Sequence, residues 1–255
     1  MSYILIHPES NFANIKLIGI MKTLLTISIN TLEWTEGNHS WFDAKLKPNS
    51  TIYVSWGDGK TSTMQTHEKG GWCRVAHYYA GSEGKEDPYL ITFESDDTYA
   101  LEGLVDGTWE NEVEKVAIID CPELTYLHYV QLPKTDFSGA PNIQTLVVTE
   151  YYANVLDISC LSKLRKLICR SSEIKNLDLT HNNELEELDI SHCRRLKKIA
   201  VSNDSRLRIV ANDYTEIDKK SLEWLEKTVT RNGGRIQKEW LDEEFISSGA
   251  YGEEI

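Results

Sequence analysis

The sequence predicts a mainly β chain: a small β-sandwich, then a repeat solenoid, then a helical cap. Three observations predict it. The stretch "LDLTHNNELEELDISHC" repeats an apolar–Asp–apolar triplet eleven residues apart, Leu177-Asp178-Leu179 and Leu188-Asp189-Ile190. Upstream, "TIYVSWGDGKTST" reads as strand, Gly-Asp-Gly turn, strand. Near the end, "DKKSLEWLEKTVTRNGG" has helical periodicity and closes on two glycines. The predicted units are residues 1–21, a leader or upstream extension; 22–108, the sandwich; 109–217, the solenoid; and 218–255, the cap with an acidic tail.

At 255 residues with 40% hydrophobic side chains, the chain can bury a proper core. A formal charge of −13 disfavours nucleic acid and anionic membrane surfaces as partners, since both would be repelled. The early segment "IKLIGIMKTLLTISI" carries lysines and apolar residues as an export signal does. Lys22 interrupts it, and neither a small-residue cleavage site nor a lipobox cysteine follows. Met21 is a candidate start, and residues 22–30 alternate as a strand would. No stretch is long and apolar enough for a transmembrane helix.

In the first unit, Gly57 and Gly59 permit positive φ and Asp58 can close the turn with its carboxylate. The later "RVAHYYAGSEGKEDPYLITFES" gives strand, loop, strand. The set "WGDG…HYY…YLITF" resembles the PKD domain, an Ig-like β-sandwich, with Trp56, Asp58, His77, Tyr79 and Tyr89 at the matching positions. A lone carboxylate beside Lys60 and Thr61 reads as a structural turn in preference to a calcium ligand, and "ESDD" at 94–97 is an equally weak calcium candidate. The stretch "DGTWENE" is read as a linker.

The solenoid follows from the template LxxLxL. It fits Val113/Val116/Ile118, Leu124/Leu127/Tyr129, a degenerate Leu132/Thr135/Phe137, Ile143/Leu146/Val148, Ala153/Leu156/Ile158, Leu164/Leu167/Cys169, Ile174/Leu177/Leu179, Leu185/Leu188/Ile190 and Leu196/Ile199/Val201, fraying at Leu207/Val210. From Ile143 the steps are 10, 11, 10, 11, 11 and 11 residues. Each short strand points alternate side chains inward and cannot bury them alone; stacking coils of about 21 residues buries a continuous column. Two half-units make one coil, which puts "LDLTHN" and "LDISHC" on opposite walls. The array resembles leucine-rich repeats, in the compact form of surface and secreted proteins of gut Bacteroidetes. The resemblance puts Asn182 and Cys193 at its inward-turning N/C position, satisfying backbone groups at the bend. "LPKTDFSGAP" and "TEYYANV" depart from the pattern.

End coils would expose apolar side chains, so a cap is expected. Leu222, Leu225 and Val229 share a helical face, with Trp224 beside them, and Gly233-Gly234 ends the helix. The tail "EWLDEEFISSGAYGEEI" is expected to pack partly through Trp240, Leu241 and Phe245.

Reactive chemistry is sparse. The five cysteines form no CxxC pair, and most fall in the repeats, where a buried thiol packs as a hydrophobe. No GxSxG, HExxH or P-loop is present. His181 and His192 read as turn residues on opposite walls, and Asp157 with Asp178 as a solvated ladder of ordinary pKa. No catalytic residue, metal or cofactor is expected. One wall carries Asp157, Asn176, Asp178 and Lys198; the other mixes outward apolar residues with arginines. Candidate ligand-binding residues on the second wall are Tyr126, His128, Val147, Thr149, Arg165, Ile168 and Arg170, with Tyr151 and Tyr152 from the "TEYYANV" interruption. The alternative is that Val147 and Ile168 are covered by a neighbouring loop or by the N-terminal unit.

The leading expectation is a non-enzymatic recognition protein with a protein or carbohydrate partner. Both family resemblances imply action at or beyond a bacterial cell surface; the lack of a clear signal peptide leaves the cytoplasm open. The alternatives are a scaffold module in which the sandwich spaces the solenoid, and, more remotely, an enzyme with an unrecognised site.

Overall fold

The computed structural model describes residues 20–31, 39–79, 88–107, 111–130, 135–238 and 241. The chain is mainly β, with a β-solenoid of about six turns. Its strands are β1 (Lys22–Thr31), β2 (His39–Leu46), β3 (Thr51–Ser55), β4 (Thr61–Gln65), β5 (Gly71–Tyr78), β6 (Tyr89–Ser95), β7 (Leu101–Asp106) and β8 (Asn111–Ile118). There follow β9 (Tyr126–Val130), β10 (Thr145–Thr149), β11 (Lys166–Arg170), β12 (Asn176–Leu179), β13 (Glu187–Asp189), β14 (Lys198–Val201), β15 (Ile209–Ala211), the helix α1 (Lys219–Arg231) and β16 (Arg235–Gln237). Residues 1–19 of the anticipated leader, Leu132 of the degenerate repeat, and Trp240 and Phe245 of the tail lie outside the described residues.

A five-stranded sheet runs β4-β3-β6-β1-β8, with antiparallel pairing throughout. The template copy Val113/Val116/Ile118 therefore sits on β8, antiparallel to β1, and not on a parallel coil wall. A nine-stranded sheet runs β16-β15-β13-β11-β10-β9-β7-β2-β5. Its β5-β2-β7 end is antiparallel, and from β7 onward every pairing is parallel. The first hundred residues and the coils thus share one sheet, joined where β7 pairs with β9. Gly103 sits at that join. A Cβ there would lie 3.2 Å from the Lys45 side chain and 3.2 Å from the Trp72 ring, so the crowded junction favours a residue with no side chain.

The Trp56–Gly59 turn is held by its own side chains. Gly57 has φ +80°, and a Cβ on it would meet the Leu90 nitrogen at 2.7 Å. Asp58 Oδ1 accepts from the Lys60 amide at 3.0 Å, and its Oδ2 lies 2.8 Å from His77 Nε2. The Tyr79 hydroxyl donates to the Trp56 carbonyl at 3.0 Å, His77 stacks on Trp56 at 5.0 Å, and Tyr79 stacks on Tyr89 at 4.4 Å. The five positions singled out in the sequence form one cluster, and Asp58 is used as a turn closer. Trp56, just after β3, and Phe93 of β6 meet Phe42 of β2 at ring distances of 6.0 and 5.2 Å, so the main core runs between the sheets.

The coil walls are as the period requires. Register aligns Leu127, Leu146, Leu167, Leu188 and Val210 into one buried ladder. The opposite wall pairs β12 with β14, aligning Leu177 with Ile199 and Leu179 with Val201. "LDLTHN" and "LDISHC" do lie on opposite walls. At the bends, Asn182 Nδ2 donates to the carbonyls of Ile158 (2.9 Å) and Leu161 (2.8 Å), and the Cys193 thiol donates to the Cys169 carbonyl at 2.7 Å. Asp218 caps α1 by accepting from the Ser221 amide at 2.8 Å. Leu225 and Val229 are buried against the last coil, and Leu222 is half-buried. Asn232 Nδ2 ties the helix end to the carbonyls of Ser205 and Leu207, each at 2.9 Å.

Candidate functional site

Parallel register turns the outer face of the nine-stranded sheet into rows. One row reads Lys45, Gly103, Tyr126, Thr145, Lys166, Glu187 and Ile209 across successive strands. The next reads Asp43, Val105, His128, Val147, Ile168, Asp189 and Ala211. The first row is a surface of rungs: the Tyr126 ring meets the edge of Trp72 at 6.2 Å, and Lys166 pairs with Glu187 at 3.4 Å. The second row is covered.

That cover corrects the expected exposures. Val147 is 1% exposed and Ile168 is 0% exposed, although both face outward. They form a small apolar cluster with Ala211 and Leu241, separate from the main core. Val147 and Ile168 are covered, and the residue described over them is Leu241, C-terminal to β16, and not the N-terminal unit named in the alternative. His128 and Arg170 are buried as well. Tyr151 is a bend residue: it is 1% exposed, and its hydroxyl donates to the Val155 carbonyl at 3.0 Å. Burial there pushes the phenol up to about 12, with the Cys169 and Asp157 charges adding to the effect. Tyr126 and Thr149 are half-buried. Tyr152, at 64% exposed, and Arg165 remain on the surface. Arg165 donates to Glu186 at 2.7 Å, and Arg208 shares the same carboxylate. Those two arginines hold the Glu186 carboxyl below its ordinary value through the hydrogen bonds they donate.

The centre of the wall is an ion pair that the candidate set only half contained. Arg170 Nε donates to Asp189 Oδ2 at 2.7 Å, and Asp189 is 0% exposed. The same Oδ2 accepts from the Leu241 amide at 2.9 Å, while Arg170 Nη2 donates to the Leu241 carbonyl. Asp189 Oδ1 accepts from the Ser191 amide at 3.0 Å. A buried ion pair is worthwhile only when its remaining valences are hydrogen-bonded, and here one peptide unit's worth of main chain helps to fill them. Asp189 was legible as outward-facing from its place beside Ile168. Its role depends on Leu241, 52 residues later, which no local pattern announces.

The opposite wall holds the acidic ladder. Asp136, Asp157 and Asp178 each accept from the amide two residues on, at 2.9, 3.1 and 2.9 Å. The Thr180 hydroxyl and amide hold the Asp178 carboxyl below its ordinary value, which corrects the expectation of an unshifted group. A groove of about 890 Å³ runs between β8 and these turns, past Phe137, Val155 and Cys160. A second, of about 880 Å³, lies between β12, β14 and Trp224 of α1. In the first groove Asp136 and Asp157 are occupied as turn closers. Cys160 is exposed, unlike the buried Cys121, Cys169 and Cys193, and partial burial still pushes its thiol pKa up, away from nucleophilic character. Among the described residues no three His, Cys, Asp or Glu side chains group as a metal site.

No protein-family model, curated protein or solved structure matches the chain.

Proposed function

We propose that the chain is a non-enzymatic recognition protein that binds a partner through the outer wall of its solenoid, at or outside a bacterial cell surface. The observation that carries this reading is the Arg170–Asp189 pair, which grips the main chain of an apolar residue over a floor of Val147, Ile168 and Ala211. A wall with apolar seats and main-chain-directed polar groups suits a protein partner. The resemblances support the setting. The Trp56–Asp58–His77–Tyr79–Tyr89 cluster is in keeping with a PKD-like Ig-type sandwich. The 21-residue rungs with inward Asn182 and Cys193 fit leucine-rich repeats of the Bacteroidetes surface type, with α1 as their cap.

The test is a binding screen against host matrix proteins and a glycan array, wild type beside Tyr152→Ala/Arg165→Ala. Both side chains are exposed, so the variant keeps its core. A protein hit weakened at least tenfold in the variant supports the reading. A hit on carbohydrate alone moves the partner class, and a hit unaffected by the variant moves the site off this part of the wall. The second reading is a scaffold with the N-terminal unit as spacer. It is favoured by the continuous sheet through β7 and β9, which couples the two halves, and it expects no hit in either arm.

A further inference from the structure

A ligand-binding wall should be open, and this one is occupied at its centre. The occupant is part of the same chain. Leu241 places its side chain against Val147, Ile168 and Ala211, and gives both its amide N–H and its carbonyl to the buried Asp189–Arg170 pair. These polar contacts read the main chain and not the side chain, so any residue of similar bulk whose amide and carbonyl reach the pair satisfies them. Polar groups fixed on the main chain of a bound peptide give affinity, and a side-chain seat gives selectivity.

We propose that this part of the wall is a peptide-docking site, and that the segment bearing Leu241 is its resident ligand. A partner peptide presenting a large aliphatic side chain and the same two main-chain groups has to displace it. The inference rests on the proposed function, since it takes the wall as the recognition face and names its partner chemistry. Three observations carry it. The apolar cluster at Leu241 is separate from the main core, so the segment is an addition to the wall and not part of the coil interior. Asp189 and Arg170 are buried, with Asp189 Oδ1 already used by Ser191, which leaves Oδ2 and the guanidinium aimed at the docked segment. The occupant is also near in sequence to the sheet it covers. β16 ends at Gln237, at the edge of the same sheet, and Leu241 lies over Ile168, three strands away in the order β16-β15-β13-β11.

A segment tethered this closely competes at an effective concentration on the order of millimolar. Displacing it in cis should therefore open the site to the same segment in trans. The probe is a fluorescein-labelled peptide of sequence KEWLDEEF, residues 238–245, read by anisotropy against the full chain. The Leu241→Asp chain is expected to bind it at least tenfold more tightly than wild type does. Peptides carrying N-methyl-leucine, which cannot donate to Asp189, or aspartate at the leucine position, should lose at least tenfold on that chain. These peptide changes leave the protein untouched. Leu241→Ala, which removes the side chain's contacts without adding charge, gives a smaller gain in the same direction and serves if Leu241→Asp does not fold.

The inference is overturned if neither variant gains affinity over wild type, or if the N-methyl peptide binds as well as its parent. Those results leave the broader reading standing whenever the partner screen still gives a wall-dependent hit. Peptide capture by Leu241→Asp with no hit in the screen keeps the docking site and removes the broader reading.

Discussion

Asp58 shows how a site-like residue is used up by its own fold. Burial raises its carboxyl, but the Lys60 amide, the hydrogen bond and charge of His77, and the Lys60 charge outweigh that and hold it below the ordinary 3.8. A carboxyl lowered on folding contributes stability that is fully present above its unfolded value and is lost as pH falls through its folded value. Urea midpoints of wild type should therefore fall more steeply than those of Asp58→Asn as pH drops below about 4; parallel curves would contradict the role given to Asp58. Asn182 is a second residue-scale test. Asn182→Ala removes one donor from each of the Ile158 and Leu161 carbonyls, which keep the amides of Leu161 and Leu164, so the cost is that of two hydrogen bonds, ~0.5–1.5 kcal/mol each. Chemical denaturation should show that loss, with Asn182→Asp no better, since a carboxylate cannot donate to a carbonyl. Asp58 is legible in the sequence from the glycines beside it, and Asn182 through the resemblance to leucine-rich repeats.

At the scale of the element, the coil period was the most readable feature, because each rung must carry its own inward residues. Leu167 illustrates it, stacked between Leu146 and Leu188 with no exposure. Leu167→Ala should cost ~2–5 kcal/mol in equilibrium unfolding, and Leu167→Met under about 1.5 kcal/mol. The helix was equally plain from its apolar face and its closing glycines. What misled was exposure. Strand alternation puts Val147, Ile168 and Arg170 on the outward face, and it says nothing of what lies over that face. Tyr151 was misread for a related reason: "TEYYANV" breaks the period, and a break looks the same whether the chain bulges outward or tucks an aromatic into the bend. Val113, Val116 and Ile118 fit the repeat template, yet pair with β1, because alternation in an antiparallel strand and in a coil rung are the same pattern over six residues.

The whole molecule is organised by the sheet that passes from antiparallel to parallel at β7. A sequence cannot announce that continuity, since Gly103 and Tyr126 become neighbours only when two distant strands pair. Shared sheet and shared core predict cooperative loss of both halves. Gly103→Val, which crowds Lys45 and Trp72, should lower a single thermal transition for both parts, and two separated transitions in wild type would show that the halves fold independently. The same scale holds the functional claim, because the wall is read by a residue that returns to it from beyond β16. Hydrogen exchange at the Leu241 amide tests that claim most directly. The account expects wild-type protection of at least about 100-fold over the free peptide KEWLDEEF, and collapse of that protection in Arg170→Met. Exchange at the free-peptide rate in the native protein would mean that Leu241 does not sit on the Asp189 carboxylate, and the docking wall would lose its foundation.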